Sequence, residues 1–556
     1  MFTYCDNPVW EVVTALSPIV NVKGASLNTQ LQSFYAICVS SGLANKYPQI
    51  RQGIEMMVSG EAGDSILVSN LQKNQDLKIV SLENTPWVNN AQAETLRMSR
   101  LSTILNEADV DDTLNKIWIK LQQLRNQDGG WSWCPGMKSN RWTTQDLLLY
   151  VGMLKQKGYL PDLPNFNAVI SSAFSYCDKE IINEYRKLDK SGKEYFVASL
   201  YSYLYVKSLF PDIRDASGFI SIRNEAMRSM EKNWKTLDIE SKAKAALIFY
   251  RAGNKKLSEE ILQSLKEYAT TTNNGIFYAN LDSRNQRGGN LAATAQVLTA
   301  FGTISPSDHM IEGLCQWLLL QKQARAWQDG TSSVSAIDAL LSFAEEWIQI
   351  SRAPEISIAG RAMDIDAFEK LTGSCCTDIS VGILSEKEIV IHRESASPAW
   401  GAVLVQSIHP MEDIKAYAID ELNISKSYLC LSNENGRETA IASTDFQIGN
   451  KVRVTLTRES DRDMEFVVIA DERSACLQPT EQLSGYVCVD NLWLYKEVRN
   501  SSTNLYIPFL PRGRHLITYD AYISGEGDFA NGIAAIQCLY APELTAHSGG
   551  AELKVE

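Results

Sequence analysis

The stretch Asn126-Gln127-Asp128-Gly129-Gly130-Trp131-Ser132-Trp133, continued by Pro135-Gly136-Met137 and Thr144-Gln145, punctuates two runs of helical periodicity. Before it, Leu114, Ile117, Trp118, Leu121 and Leu124 fall on one helical face; after it, Leu147, Leu148, Val151 and Leu154 repeat the pattern. Clustered Gly and Pro break the periodicity between them, so the segment reads as the turn of a helical hairpin. Working outward, a helix from about Glu240 to Arg251 stops near Gly253 and another begins near Leu257. A succession of such hairpins up to about residue 350 predicts an α/α toroid, in which inner and outer helices alternate around a ring and each apolar stripe is buried against its neighbours.

Beyond Ser351 the period changes from that of a helix to that of a strand. Val452, Val454 and Leu456 alternate with Arg453, Thr455 and Thr457, and Ile517, Tyr519, Ala521 and Ile523 alternate later. These are antiparallel strands with one buried face. Turn signals at Ile448-Gly449-Asn450, Pro511-Arg512-Gly513 and Gly525-Glu526-Gly527 separate them, as in a β-sandwich. Helices first and strands afterwards predict separate domains: an α/α toroid over 1–350, a shorter β-region over 351–415 and a β-sandwich over 416–556.

Composition narrows the function. With 45% hydrophobic and 21% charged residues, the chain has the balance of a folded globular protein. A net charge of -13 and no basic run exclude a phosphate-binding surface of the kind that nucleic acids need. No stretch reaches about 18 consecutive apolar residues, and Met1 to Trp10 lacks the basic and apolar regions of a signal peptide. The eleven Cys contain no C-x-x-C pair, and His309, His392, His409, His515 and His547 show no metal-binding spacing, so neither a metal nor another cofactor is expected.

Several strings resemble the bacterial alpha-2-macroglobulin family. Asn7-Pro8-Val9-Trp10 with Ala15-Leu16 is similar to the entry into that family's thioester domain. Thr85-Pro86-Trp87, the Asn126–Trp133 turn and Pro135-Gly136-Met137 follow in the family's order. Ala399-Trp400-Gly401-Ala402 looks like its return into a CUB-like β-region. Asp461-Arg462-Asp463-Met464-Glu465, Leu483-Ser484-Gly485-Tyr486, Ser502-Thr503-Asn504, Leu510-Pro511-Arg512-Gly513 and Tyr540-Ala541-Pro542-Glu543 match its last macroglobulin-like domain. The resemblance covers essentially the whole chain. It implies that these residues are the C-terminal part of a longer protein, whose upstream macroglobulin-like domains and protease-cleaved bait lie outside this sequence.

In active members of that family, a Cys and a Gln three residues later condense at a helix start into an internal thioester, which captures a nucleophile by acyl transfer. Matching Phe34-Tyr35-Ala36 to the residues that follow the family motif puts Ser26 at the Cys position, Asn28 at the Glu and Thr29 at the Gln. No Cys of the chain has Gln three residues on. The resemblance therefore implies a degenerate thioester position at Ser26, Asn28 and Thr29, and no catalytic residues. Read without it, Ser26 is an N-cap, since an amphipathic helix follows.

Other features have structural readings. Asp109-Val110-Asp111-Asp112 matches the D-x-D-D proton donor of class II terpene cyclases, which are also α/α toroids, yet its place before an amphipathic helix suits a cap and the helix dipole. Trp131, Trp133 and Trp142 are expected to plug the ring rather than line a groove. The charged run from Arg458 to Glu465 is expected to be a solvated turn between strands.

The function implied is non-enzymatic protease trapping outside the cytoplasm, in the periplasm or cell envelope, by a complete parent chain. A protein-binding or structural module that holds envelope proteins is the alternative, and an α/α-toroid enzyme of terpene-cyclase type a lesser one.

Overall fold

The computed structural model describes residues 2–20, 26–48, 50–51, 110–272, 275–279, 289–322, 327, 330–343, 347, 354–358, 360–362, 373–377, 388–393, 398–403, 405, 407–434, 437–441, 446–539 and 544–556. Helices dominate up to Leu340 and strands after it. They fall into two compact units, one of which holds Ala402–Glu556.

The helical part closes a ring. Leu27–Lys46 packs on Arg141–Lys157, which meets Tyr201–Ser208; then follow Ile239–Arg251, Gly289–Ile304 and Gly330–Leu340, and the last returns to Leu27–Lys46. These inner helices are buried on several sides, as Ala293, Ala295, Val297, Leu298, Ala300 and Phe301 of Gly289–Ile304 show. The outer helix Lys255–Lys266 carries one stripe: Ser258, Ile261, Leu262 and Leu265 are buried, while Lys255, Lys256, Glu259, Glu260 and Gln263 are exposed. Small residues on inner helices let the backbones approach: a Cβ on Gly152 would fall 2.7 Å from Leu209 Cδ1.

Local signals set the helix ends. Asn7 caps Pro8–Leu16 by accepting from Trp10 N–H, with Pro8 at the first position, where its missing N–H costs nothing. Asp189, Asp238 and Asn254 cap three later helices in the same way. Gly158 closes Arg141–Lys157 in the left-handed conformation, φ 72°. The helix expected from about Glu240 to Arg251 runs Ile239–Arg251, and its successor begins at Lys255.

The opening residues depart from the expectation of helix from the start. Phe2–Cys5 is a strand, placed between Ser374–Thr377 and Trp400–Val403 in a three-stranded sheet. Sheet pairing is a long-range choice that four residues cannot announce.

Ala402–Glu556 contains two facing antiparallel sheets. One has the order Arg437–Ile441, Leu422–Glu434, Lys451–Ser460, Gly513–Ile523, Leu477–Pro479. The other runs Gly485–Val489, Leu492–Val498, Ser502–Leu510, Met464–Glu472, Ala534–Cys538, Thr545–His547. Val454, Leu456 and Ile517 from the first pack with Val467, Ile469, Leu505, Ile507 and Ile536 from the second, so the alternating residues form the sandwich core.

Candidate functional site

Ser26 stands at the head of Leu27–Lys46 with extended dihedrals, φ -78° and ψ 149°. Its carbonyl accepts from Gln30 N–H at 3.1 Å and its hydroxyl from Thr29 N–H at 3.4 Å, which is N-cap geometry. Ser26 Oγ also lies 2.9 Å from Thr29 Oγ1. Residues three apart on a helix face one another, so the two side chains meet here as two hydroxyls. Asn28 lies between them on the first turn, half-buried, and Lys23, Gly24 and Ala25 are outside the described residues.

Behind this first turn the helix is largely core: Leu31, Phe34, Tyr35, Ala36 and Ile37 are buried. Burial pushes the Cys38 thiol well above its ordinary range, which leaves it an inert packing residue. Tyr35 donates to Asp338 Oδ1 at 3.2 Å, tying Leu27–Lys46 to Gly330–Leu340 inside the ring. Desolvation holds the Asp338 carboxyl above the usual carboxylate range, while Lys157, the Tyr35 hydrogen bond and Arg251 pull the other way.

The turn that marked the sequence packs against this same helix start, because Leu27 N–H donates to Trp133 O at 2.9 Å. Its shape follows from its residues. Gly129 has φ 90°, and a Cβ on Gly130 would fall 2.6 Å from Tyr176 Cε1. Asp128 Oδ1 accepts from Gly130 N–H at 3.0 Å and from the Ser139 hydroxyl at 2.7 Å, which ties the turn to the loop that follows. Trp131 is fully buried, donating from Nε1 to Leu121 O at 2.8 Å. Trp133 and Trp142 are not plugs: they are 45% and 51% exposed. Trp142 instead stacks beneath Arg141, whose guanidinium carbon lies 4.1 Å from the ring centroid. Trp131 is held inward by its backbone bridge to Arg125 and its bond to Leu121 O, whereas Trp133 lies beyond that bridge and Trp142 at a helix start.

The other candidates separate from this site. Asp111 and Asp112 are in the first turn of Val110–Gln123, Asp111 exposed and Asp112 paired with Lys116 one turn on. Asp109 is outside the described residues. His309 is 79% exposed with Nδ1 3.3 Å from Asp308. The bond from Leu27 N–H to Trp133 O comes from turn geometry that the strings alone do not carry; the signal available was the Gly-Gly pair, which only a crowded turn requires.

The β-sandwich supplies the decisive comparison. Its residues 422–543 match the family model of the bacterial alpha-2-macroglobulin MG10 domain. Over those residues the chain is similar to an MG10 domain of the bacterial alpha-2-macroglobulin family. Several solved structures resemble the chain at low identity. Trypsin-activated alpha-2-macroglobulin from Escherichia coli is 11% identical with a TM-score of 0.43, over 80% of this chain and 30% of that one. The native Escherichia coli protein from domain MG7 to the C-terminus is 11% identical with a TM-score of 0.38, over 100% of this chain and 77% of that one. Salmonella alpha-2-macroglobulin reacted with methylamine is 12% identical with a TM-score of 0.36, over 100% of this chain and 31% of that one. The chain thus spans 30% of the trypsin-activated relative. No curated protein matches the sequence.

Within the MG10 domain the charged run departs from the expectation of a solvated turn. Arg458 is fully buried and donates from Nη2 to Pro511 O at 2.7 Å. Desolvation lowers its pKa to about 10, against the attraction of Asp490 and Asp463. The run begins while Lys451–Ser460 is still a strand, so alternation decides which side of the sheet each charge takes, and only 461–463 form the turn. A second buried pair links the sheets: Lys426 Nζ lies 2.6 Å from Asp471 Oδ1 and donates to Glu472 O at 2.6 Å and Gly532 O at 2.8 Å.

Proposed function

We propose that this chain is the C-terminal part of a thioester-less alpha-2-macroglobulin-like protein, which traps proteases outside the cytoplasm by caging rather than by covalent capture. In this reading residues 1–350 are a degenerate thioester-type domain, 351–415 a CUB-like region, and 416–556 the macroglobulin-like sandwich that contains the MG10 domain. The observation that carries it is the Ser26–Thr29 pair. A thioester needs a thiol to attack the side-chain amide carbon of Gln with release of ammonia. Two hydroxyls 2.9 Å apart can make a hydrogen bond and no acyl intermediate. Function then resides in surfaces and not in a stored bond, and the protein is not an enzyme.

The test uses the protein encoded by the whole reading frame that contains these residues, with trypsin as probe. Cleavage of a large protein substrate should fall while a small chromogenic peptide is still turned over, and denaturing electrophoresis should show no conjugate. This chain by itself should not inhibit trypsin stoichiometrically at neutral pH. A protease adduct that survives denaturation, or a mass increase after methylamine treatment, would sink the proposal.

A further inference from the structure

The inner helices of the ring bring polar side chains together across its middle. Tyr201–Ser208 and Gly289–Ile304 are separated in the ring by Ile239–Arg251, yet Gln296 Nε2 lies 3.5 Å from the Tyr205 hydroxyl. Arg141–Lys157 and Gly330–Leu340 are separated by Leu27–Lys46, yet Lys157 donates to the hydroxyl of Ser342, in the turn Leu341–Phe343 that follows Leu340. Arg251 donates from Nη1 to Ser208 Oγ at 2.9 Å, with its guanidinium carbon 5.4 Å from the centroid of the Tyr205 ring. Lys157, Ser208 and Arg251 are each the last residue of their helix, so the cluster sits at one rim of the ring. Asp338, the acceptor of the Tyr35 hydroxyl, completes it.

The charges of this rim do not balance. Lys157 and Arg251 are near enough to repel one another, and the hydrogen-bond partners they have, Ser342 and Ser208, are neutral hydroxyls. Among the described residues neither makes an ion pair with a carboxylate. Asp338 acts on both from longer range and is the only carboxyl among the described groups that bear on Lys157. One carboxyl thus faces two cations. Desolvation pushes the Lys157 ammonium below its ordinary range, as expected of a cation taken from water without a full counter-charge. Solvent still reaches the place, because Ser342 is exposed and Lys157 and Arg251 are half-buried. A cation at a helix C-terminus is ordinary on the dipole alone, and Lys155, exposed and 3.6 Å from Asp212, is of that kind. Lys157 and Arg251 differ from it in converging across the ring.

We propose that this rim of the ring binds a small free oxyanion, a carboxylate or a phosphate, between Lys157 and Arg251. The guanidinium offers a planar fork of donors against the Tyr205 ring, the ammonium a compact charge, and the hydroxyls of Ser342 and Ser208 further donors. A buried charge is ordinarily paired, and the oxyanion supplies the pairing that Asp338 alone does not. A neutral ligand would leave the second cation uncompensated.

The probes are inorganic phosphate and succinate, each titrated into the full chain by isothermal titration calorimetry at constant ionic strength. Saturable one-to-one binding of at least one is expected, and the tighter of the two names the class. Lys157→Gln and Arg251→Gln should each weaken it by about tenfold, the scale of a lost charge-assisted hydrogen bond. Lys155→Gln should leave it unchanged. Asp338→Asn keeps an acceptor for Tyr35 and removes the competing charge, so affinity should rise, a gain that misfolding cannot produce. Absence of binding to the wild type overturns the proposal. So does full affinity in Lys157→Gln, or weaker binding in an Asp338→Asn variant whose circular dichroism is unchanged.

Discussion

Leu27 N–H donates to the carbonyl of Trp133 at 2.9 Å, so the first turn of the Leu27–Lys46 helix is held by the same Gly-Gly-Trp turn that marks the hairpin in sequence. Ser26 therefore heads a helix whose start is fixed from outside, and its hydroxyl is one of several groups that hold it.

Ser26→Ala removes the side-chain cap and should cost about 1 kcal/mol, the usual value for losing a Ser N-cap. Thr29→Val keeps the cap's N–H acceptor while deleting the hydroxyl pair, and should cost less than Ser26→Ala. Urea unfolding followed by circular dichroism at the helical signal measures both. Equal costs would show that the hydroxyl pair, and not the cap, dominates.

Intact mass tests the chemistry at the same place. The chain should weigh what its sequence requires, with no loss of the roughly 17 Da that thioester condensation releases as ammonia. Methylamine should leave that mass unchanged.

The three tryptophans of the turn should separate sharply. Trp131→Ala empties a buried site and strands the Leu121 carbonyl, at about 3–5 kcal/mol. Trp133→Ala and Trp142→Ala act on exposed rings and should stay within roughly 1 kcal/mol. Chemical denaturation of each variant checks the order, and a large loss at Trp133 would show that its exposed ring is covered in solution.

Arg458→Ala should destabilise the MG10 domain by roughly 2–4 kcal/mol, because it removes a charge-assisted donor from the half-buried Pro511 carbonyl and leaves a void where the buried side chain stood. Glu459→Ala, its exposed neighbour, should fall within about 0.5 kcal/mol. Differential scanning calorimetry distinguishes them.

Acid should weaken the MG10 domain partly through Asp520. The hydrogen bond from Arg453 leads the interactions that hold this carboxyl below its ordinary range, with Lys451 adding to it and burial opposing. A depressed folded pKa contributes stability that is present above the unfolded value of about 3.9 and is lost as pH falls through the folded value. Asp520→Asn should therefore lower stability at neutral pH and flatten its decline below about pH 4. A decline as steep as that of the wild type would show that other carboxylates carry the acid sensitivity.

Much of the fold was legible because its signals are local. Hairpin spacing, Asn and Asp caps, and Gly158 announce helices before any packing is considered, and alternation at Val452–Leu456 and Ile517–Ile523 announces the inner faces of the sandwich. Ser26, Asn28 and Thr29 were legible as residue types ahead of an amphipathic helix. The hydrogen bond from the neighbouring Leu27 N–H to Trp133 O was not, since it joins a helix start to a turn about a hundred residues away in the chain.

By itself the sequence determined the succession of helical hairpins, the alternating strands of the sandwich, the absence of any Cys with Gln three residues on, and the MG10 match. Residue type and short-range periodicity suffice for these. Tertiary structure alone decided that Phe2–Cys5 joins a sheet with Ser374–Thr377, that Trp133 and Trp142 face outward while Trp131 is buried, and that Arg458 lies inside. Those outcomes depend on which distant surfaces close over each residue, and burial is a property of that closure rather than of the residue.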